Sequence, residues 1–279
     1  MKIAFIGGGN MATALIAGLA GQAGRQAGGA HLHVVDPNTE ALERLASQYG
    51  VSTAASVDVQ VGAADVVVLA VKPQQMREVA ACLKPLLANV PDKQPLVLSI
   101  AAGIRIADLS RWLGGYTRIV RSMPNTPALI AMGITGMVAA SEVDEAQRSA
   151  ADKVMRAVGQ TVWLKDESLI DPVTAVSGSG PAYVFYFLEA MQQAALEMGL
   201  GAEQGRELAL ATFTGAAQLA AQSGDPVEVL RQRVTSKGGT THAAITSMEA
   251  AGVKDAIVAA MKAAADRGRE LGDELGKDS

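Results

Sequence analysis

Residues 3–12 read IAFIGGGNMA, and this stretch decides the fold of the first half of the chain. Its apolar start predicts a short strand, and the apolar spacing after residue 10 predicts a helix. In the G-x-G-x-x-A turn between them, Gly7 allows a sharp turn and Gly9 lets a pyrophosphate approach the backbone, while Ala12 lets the helix pack on the strand. Amide groups at the helix start would face the phosphates, so the stretch predicts a dinucleotide site rather than an ordinary glycine turn.

The next predicted strand, residues 31–36, ends in Asp36. An acid at this place accepts hydrogen bonds from the adenosine ribose and repels a 2′-phosphate, which favours NADH over NADPH. Alternatively, Asp36 begins the turn Asp36-Pro37-Asn38 and stabilises the start of the following helix. The sequence leaves both roles open.

Strands and helices alternate as far as residue 164, which predicts a mostly parallel sheet with helices on both faces. After about residue 166 the pattern is helical throughout. We therefore expect two domains, residues 1–164 and 165–279. The predicted helix over residues 182–198 is apolar nearly all round, as is typical of a helix buried inside a domain or between subunits.

Composition narrows the possible functions. The 279 residues include 24 Lys and Arg against 28 Asp and Glu, a net charge of −4, so neither nucleic acid nor an anionic membrane is an expected partner. The sequence contains no run of about 18 apolar residues, so no membrane span is predicted. No targeting signal is recognisable either, and a cytoplasmic protein is therefore expected. Because Cys82 is the only cysteine in the sequence, an internal disulfide is excluded. One cysteine and three histidines are few potential ligands, so no metal site is expected. Cys82 itself is expected in the core.

Two later loops are rich in small residues and each opens a predicted helix. Residues 177–183 read SGSGPAY and residues 235–241 read TSKGGTT. Such turns place backbone amides where they can bind an anion, which suggests a small substrate with a carboxylate. Ordinary helix caps are the alternative.

These stretches carry a family resemblance over essentially the whole chain. The matching segments are FIGGGNM (5–11), AVKPQ (70–74), SIAAG (99–103), RSMPNTP (121–127), SGSGPAY (177–183) and VTSKGGTT (234–241). In them the sequence resembles pyrroline-5-carboxylate reductases. The resemblance implies an α/β Rossmann-like dinucleotide-binding domain followed by an all-helical dimerisation domain. It also implies reduction of 1-pyrroline-5-carboxylate to L-proline by NADPH or NADH.

The resemblance also implies roles for individual residues. Those expected to bind the cofactor are Ile6, Gly7, Gly8, Gly9, Asn10, Met11, Ala12, Asp36, Ala70, Val71, Lys72, Pro73, Ile100, Ala101 and Ala102. Those expected to bind the substrate are Ser177, Gly178, Ser179, Gly239, Thr240 and Thr241, with the Thr241 hydroxyl reaching the ring nitrogen as the catalytic group. Assembly as a homodimer through the C-terminal helices, often gathered into a decamer, is implied as well.

Two other functions fit the N-terminal half. A 3-hydroxyacid dehydrogenase also joins such a half to a helical one, but that class relies on a lysine in the long interdomain helix, and residues 183–198 contain none. A dinucleotide-binding sensor would not need the two later loops. A cyclic imine that enters protonated accepts hydride directly, so the scarcity of acid–base residues favours the reductase.

Overall fold

The computed structural model describes residues 1–22, 29, 31–88 and 94–277. Within them an eight-stranded sheet has the strand order β3-β2-β1-β4-β5-β6-β7-β8. Neighbouring strands run parallel except β6 and β7, which are antiparallel. The strand order reverses between β1 and β4, and a ligand of such a sheet binds outside the carboxyl ends of the strands at this reversal.

The elements follow one another in regular order. The strands are β1 (Ile3–Ile6), β2 (Leu32–Val35), β3 (Ser52–Ala54), β4 (Val66–Leu69), β5 (Leu96–Ser99), β6 (Ile119–Met123), β7 (Gly133–Ala139) and β8 (Gly159–Trp163). The helices are α1 (Asn10–Gln22), α2 (Thr39–Tyr49), α3 (Val59–Gly62), α4 (Met76–Ala88), α5 (Ile106–Trp112), α6 (Glu145–Arg156), α7 (Ile170–Val173), α8 (Gly180–Glu197), α9 (Ala202–Gln222), α10 (Val227–Arg233), α11 (Thr240–Ala250) and α12 (Val253–Gly276).

Alternating residues of the inner strands enter two separate cores. Phe5 and Val68 belong to the core beneath α1, α2 and α6, whereas Ile6 and Leu69 belong to the core beneath α4 and α5. Because both faces are covered, all four residues of β1, β2, β4 and β5 are buried. This layering confirms the prediction of a mostly parallel sheet with helices on both faces.

Three features of the sheet half were not predicted. Strand β3 is short, and none of its three residues is buried, so it lacks the apolar pattern that marks a strand. Helix α3 has only four residues. Strand β7 returns antiparallel to β6, because the short segment between them, which includes the 3₁₀ turn Thr126–Ile130, reverses the chain without a crossover helix.

Packing divides the chain into two compact units. One contains residues 1–179 and 264–279, and the other contains residues 180–263. The predicted boundary after residue 164 differs from this division, since residues 165–179 and the end of the chain group with the sheet. As a boundary between functional domains, residue 164 remains a prediction.

Arginine side chains hold the last turns of α12 within the first unit. The Arg111 guanidinium donates to the Gly276 carbonyl at 2.7 Å, and the Arg105 guanidinium lies 2.7 Å from the Asp273 carboxylate. Cations at a helix C-terminus satisfy its free carbonyl groups and interact favourably with the helix dipole. The end of α12 is therefore anchored beside α5.

Helix α8 exposes much of its apolar surface in the single chain. Phe185 is 59% exposed and Tyr186 is 73% exposed, while only Leu188 and Ala195 are buried. The sequence predicts that this helix is buried either inside a domain or between subunits. Burial inside a domain is wrong for most of its length. Among the helices that the structure describes, none is both long and apolar enough to span a membrane.

We expect Gly18→Ala to lower the free energy of unfolding by about 1–3 kcal/mol, because a Cβ on Gly18 would lie 2.3 Å from the Ala157 carbonyl oxygen, where α1 meets the end of α6. Gly21, in the same helix, has nothing within 4 Å of the corresponding position. Gly21→Ala should leave stability unchanged or raise it by up to about 1 kcal/mol. Chemical denaturation measures both variants, and equal stabilities would contradict this account of the α1–α6 packing.

Candidate active site

The glycine-rich turn is fixed by backbone contacts with two neighbouring strands. Gly7 has φ +102°, and its amide donates to the Val35 carbonyl at 2.8 Å. A Cβ on Gly7 would lie 2.6 Å from the Ala70 carbonyl oxygen, so both the backbone conformation and the close approach require glycine. Gly9 differs, because no atom lies within 4 Å of its Cβ position. Its open side is where a ligand can approach the backbone.

Asp36 lies beside this turn and contacts it directly. Its Oδ2 accepts the Gly8 amide at 2.7 Å, and its Oδ1 accepts the Asn38 amide at 2.8 Å. The second bond forms the turn that the sequence suggested, and Asn38 rather than Asp36 caps α2, since the Asn38 side chain accepts the Ala41 amide. The first bond ties the glycine-rich turn to the end of β2. Asp36 therefore has a structural role, and it also faces the cleft described next.

A cleft of about 380 Å³ opens at the carboxyl ends of β1, β2 and β4. Seven of the residues predicted to bind the cofactor line it: Ile6, Gly7, Gly9, Asp36, Ala70, Val71 and Lys72. Gly8 and Asn10 line an adjoining depression, together with Asp36, Asn38, Glu40 and Arg44. The structure thus brings nine of the predicted residues together around one pair of cavities.

Six predicted cofactor residues do not line either cavity. Met11 is partly buried and Ala12 is buried, and both pack in the core beneath α1. Pro73 begins the 3₁₀ turn that leads into α4. Ile100, Ala101 and Ala102 follow β5, where the Ile100 amide donates to the Leu69 carbonyl at 3.2 Å. They therefore lie one strand further along the same edge of the sheet, and their role in binding stays a prediction.

Several cleft residues were missed or placed wrongly. Ala55, Ser56 and Val57 follow β3, which the sequence did not reveal, while Gln75 and Glu78 come from the start of α4 and the turn before it. Cys82 is exposed and lines the cleft, so the expectation that it lies in the core is wrong. The core face of α4 is formed by Met76, Ala80, Leu83 and Leu87 instead. At about 3.6 residues per turn, Cys82 lies outside this face.

The cleft fits a dinucleotide. The first α1 hydrogen bond runs from the Thr13 amide to the Gly9 carbonyl, so the amides of Asn10, Met11 and Ala12 have no acceptor within the helix. The first turn of α1 contains no acidic residue. Free amides and the positive end of the helix dipole favour a pyrophosphate there. Lys72, exposed at the rim of the cleft, adds a positive charge.

Within the first unit, Ser177 and Gly178 belong to a π-helical turn, Thr174–Gly178, that leads to α8. The Ser179 amide donates to the Thr174 carbonyl at 2.8 Å, and the Ser177 hydroxyl donates to the Val173 carbonyl at 2.9 Å. The Ser177 hydroxyl is therefore committed to the turn itself. Wide turns of this kind are frequent at functional sites.

Within the second unit, Thr240 and Thr241 form the first turn of α11. Gly238 has φ +78°, which favours glycine, and a Cβ on Gly239 would lie 2.7 Å from the Ser236 Oγ, so the Ser236 side chain packs closely on Gly239. The Ala243 amide donates to the Gly239 carbonyl at 3.1 Å, which leaves the amides of Thr240 and Thr241 without acceptors inside the helix. Thr241 is partly buried and Thr240 is exposed. These amides are free to donate hydrogen bonds to an anion, and their role in binding the substrate stays a prediction.

Comparison with known protein families agrees with this architecture. A family model described as pyrroline-5-carboxylate reductase dimerisation matches residues 167–271. A second model, described as NADP oxidoreductase, coenzyme F420-dependent, matches residues 2–103. The two matches fall on the helical part and on the glycine-rich half of the sheet.

Curated and solved relatives cover the whole chain. Pyrroline-5-carboxylate reductase of Pseudomonas aeruginosa is 45% identical over 276 residues, which cover 99% of this chain and 98% of the relative. The structure of the Coxiella burnetii enzyme is 40% identical with a TM-score of 0.90 and covers 97% of this chain and 98% of that one. The structure of Plasmodium falciparum pyrroline carboxylate reductase with NADP bound is 28% identical with a TM-score of 0.83, covering 98% of each chain. On this evidence the chain belongs to the pyrroline-5-carboxylate reductase family.

Proposed function

We propose that this chain transfers a hydride from NADPH or NADH to the C=N bond of 1-pyrroline-5-carboxylate, taking up a proton and releasing L-proline and NAD(P)⁺. The observation that carries the proposal is the dinucleotide cleft at the strand-order reversal, in a chain whose full length belongs to this reductase family. When bound, the nicotinamide supplies the hydride, and the chain supplies binding and orientation.

The cofactor is held chiefly by backbone groups. Amides at the start of α1 bind the pyrophosphate, and the Gly9 backbone gives it room to approach. Ala70, Val71, Lys72 and Pro73 line the way towards the nicotinamide at the ends of β4 and β5, together with Ile100, Ala101 and Ala102. Asp36 stands where the adenosine ribose is expected and accepts its hydroxyl hydrogen bonds.

The substrate is held by the later loops. The amides of Thr240 and Thr241 bind its carboxylate, and the Thr241 hydroxyl positions the ring nitrogen. The Gly239 amide, which the resemblance also assigns to the carboxylate, already donates to the Ser236 carbonyl at 3.0 Å within the loop. Ser177, Gly178 and Ser179 close the pocket. A protonated cyclic imine is already a good hydride acceptor, so orientation against the nicotinamide supplies most of the rate and no strong acid or base is needed.

The active enzyme is proposed to be a homodimer. The exposed apolar side chains of α8, Phe185 and Tyr186 among them, lie in the region that the dimerisation model matches. Burying such side chains against a second copy removes apolar surface from water. In the proposed enzyme, residues 1–164 form the domain that binds the cofactor, and residues 165–279 form the domain that binds the substrate and mediates dimerisation. A cytoplasmic location would keep the exposed Cys82 reduced.

Initial rates of NADPH and NADH oxidation with racemic 1-pyrroline-5-carboxylate test the activity. We expect turnover with at least one of the two cofactors, and proline as the product. A folded protein that binds either cofactor and yet turns over neither would contradict the reductase function. It would leave a dinucleotide-binding sensor as the function to test next.

Replacing Asp36 tests its part in choosing the cofactor. Removing its negative charge in Asp36→Asn should raise kcat/KM for NADPH relative to NADH by about tenfold, because a 2′-phosphate would no longer meet a carboxylate a few ångströms away. Asp144→Asn is the matched control, since Asp144 caps α6 and lies outside both cavities. If the ratio stays unchanged in both variants, Asp36 only fixes the turn.

Thr241→Ala and Thr241→Ser test the positioning of the ring nitrogen. Removing the hydroxyl should raise KM for 1-pyrroline-5-carboxylate about tenfold or more, in line with the loss of a hydrogen bond to a charged group, while kcat changes much less. Thr241→Ser keeps the hydroxyl and should stay close to the unmodified enzyme. A large fall in kcat at unchanged KM would assign proton transfer to Thr241 instead.

A further inference from the structure

Asn125 forms a bridge that none of the proposed roles uses. Its Nδ2 donates to the Ser177 carbonyl at 3.1 Å, and its Oδ1 accepts the Ile134 amide at 2.9 Å. Since a carbonyl only accepts and an amide nitrogen only donates, these two partners fix which way the side-chain amide faces. The Asn125 residue itself is 9% exposed, and both bonds are partly buried.

The Ser177 carbonyl cannot accept the hydrogen bond that the next turn of an α-helix would supply. Pro181 stands four residues later and has no amide hydrogen, so the α-helical hydrogen bond to Ser177 cannot form. A backbone carbonyl without a partner is costly where water is excluded. Asn125 Nδ2 takes the place of the missing donor. One hydrogen bond thus connects the RSMPNTP segment with the SGSGPAY segment.

Neighbours of Asn125 strengthen this connection. A Cβ on Gly178 would lie 2.7 Å from Met123 Cε, so the Met123 side chain packs directly under the π-helical turn. The buried Ser122 hydroxyl donates to the Ser99 carbonyl at 2.9 Å, at the end of β5. The end of β6 and the residues after it therefore contact both the turn that closes the substrate pocket and the strand end that leads to Ile100.

We propose that Asn125 is a positioning residue for the reduction: through the Ser177 carbonyl it fixes the turn Ser177–Ser179 against the substrate. This inference rests on the proposed function, in which that turn closes the substrate pocket. A purely structural role would require only the Oδ1 bond to Ile134, which orders the start of β7. The two bonds can be separated by experiment, because they use different atoms of the amide.

Asn125→Asp keeps an acceptor for the Ile134 amide and removes the donor to Ser177. We expect kcat/KM for 1-pyrroline-5-carboxylate to fall about tenfold or more, mainly through KM, while KM for the cofactor stays unchanged. Gln147→Glu is the matched control. The Gln147 side-chain amide also donates to a backbone carbonyl, Gln94 O at 3.1 Å, and accepts a hydrogen bond from a backbone amide, Asp144 N at 3.4 Å. Gln147 is distant in sequence from the residues that line the cleft. It should leave both KM values unchanged.

A pH series separates positioning from general damage. The carboxyl group that Asn125→Asp introduces would again donate a hydrogen bond once it is protonated, because a carboxylic acid carries one O–H donor. The ratio of kcat/KM for Asn125→Asp to that for the unmodified enzyme should therefore rise as the pH is lowered towards 5. Dividing by the unmodified enzyme at each pH removes the titration of the substrate itself.

The outcomes are distinct. A pH-independent ratio, or an unchanged KM for 1-pyrroline-5-carboxylate in Asn125→Asp, would overturn the positioning role. If Asn125→Asp does not fold, Asn125→Gln keeps both chemical groups but displaces them by one methylene. A raised KM for 1-pyrroline-5-carboxylate in Asn125→Gln supports the positioning role, and an unchanged KM overturns it. Absence of turnover in the unmodified enzyme would instead refute the proposed function, which is a separate result.

Discussion

The close approach of the Ala70 carbonyl to Gly7 is the constraint on which the cofactor cleft depends. Here the backbone ladder continues past the ends of the strands: the Ala70 amide donates to the Ile6 carbonyl, and the Gly7 amide donates to the Val35 carbonyl, each at 2.8 Å. The ends of β1, β2 and β4 are thereby joined by hydrogen bonds. Any side chain on Gly7 would push β4 away from the turn, and the residues that follow β4 would lose their place in the cleft.

The glycine-rich turn also depends on Asp36, a residue with two possible roles. Asp36 holds the Gly8 amide and stands in the cleft at the same time. Each carboxylate oxygen has two lone pairs, so bonds to backbone amides leave capacity for the ribose hydroxyls. The two roles that the sequence leaves open are therefore compatible, because the bonds that fix the turn also hold the carboxylate in place at the cleft.

The sheet half could be predicted because burial on both faces leaves a strong pattern. An apolar run such as VVVL in β4 is typical of a strand that is buried on both faces. The close contact with Ala70 explains why glycine stands at position 7. Short elements such as β3 leave no such pattern, because their place is set by hydrogen bonds to β2 rather than by apolar side chains. The exposure of Cys82 has a different cause: the apolar residues near it in the sequence do not share its side of α4, whose core face is formed by Met76, Ala80, Leu83 and Leu87.

The π-helical turn shows what sequence patterns cannot supply. Ser177 and Gly178 were singled out by composition, but the bond from Asn125 joins residues 52 positions apart and depends on the amide hydrogen that Pro181 lacks. Hydride transfer to an iminium needs geometry more than acid–base chemistry. An enzyme of this kind can therefore place its specificity in carbonyl and amide groups of fixed direction. The residues that hold those groups, rather than ionisable side chains, are then the ones on which the rate depends.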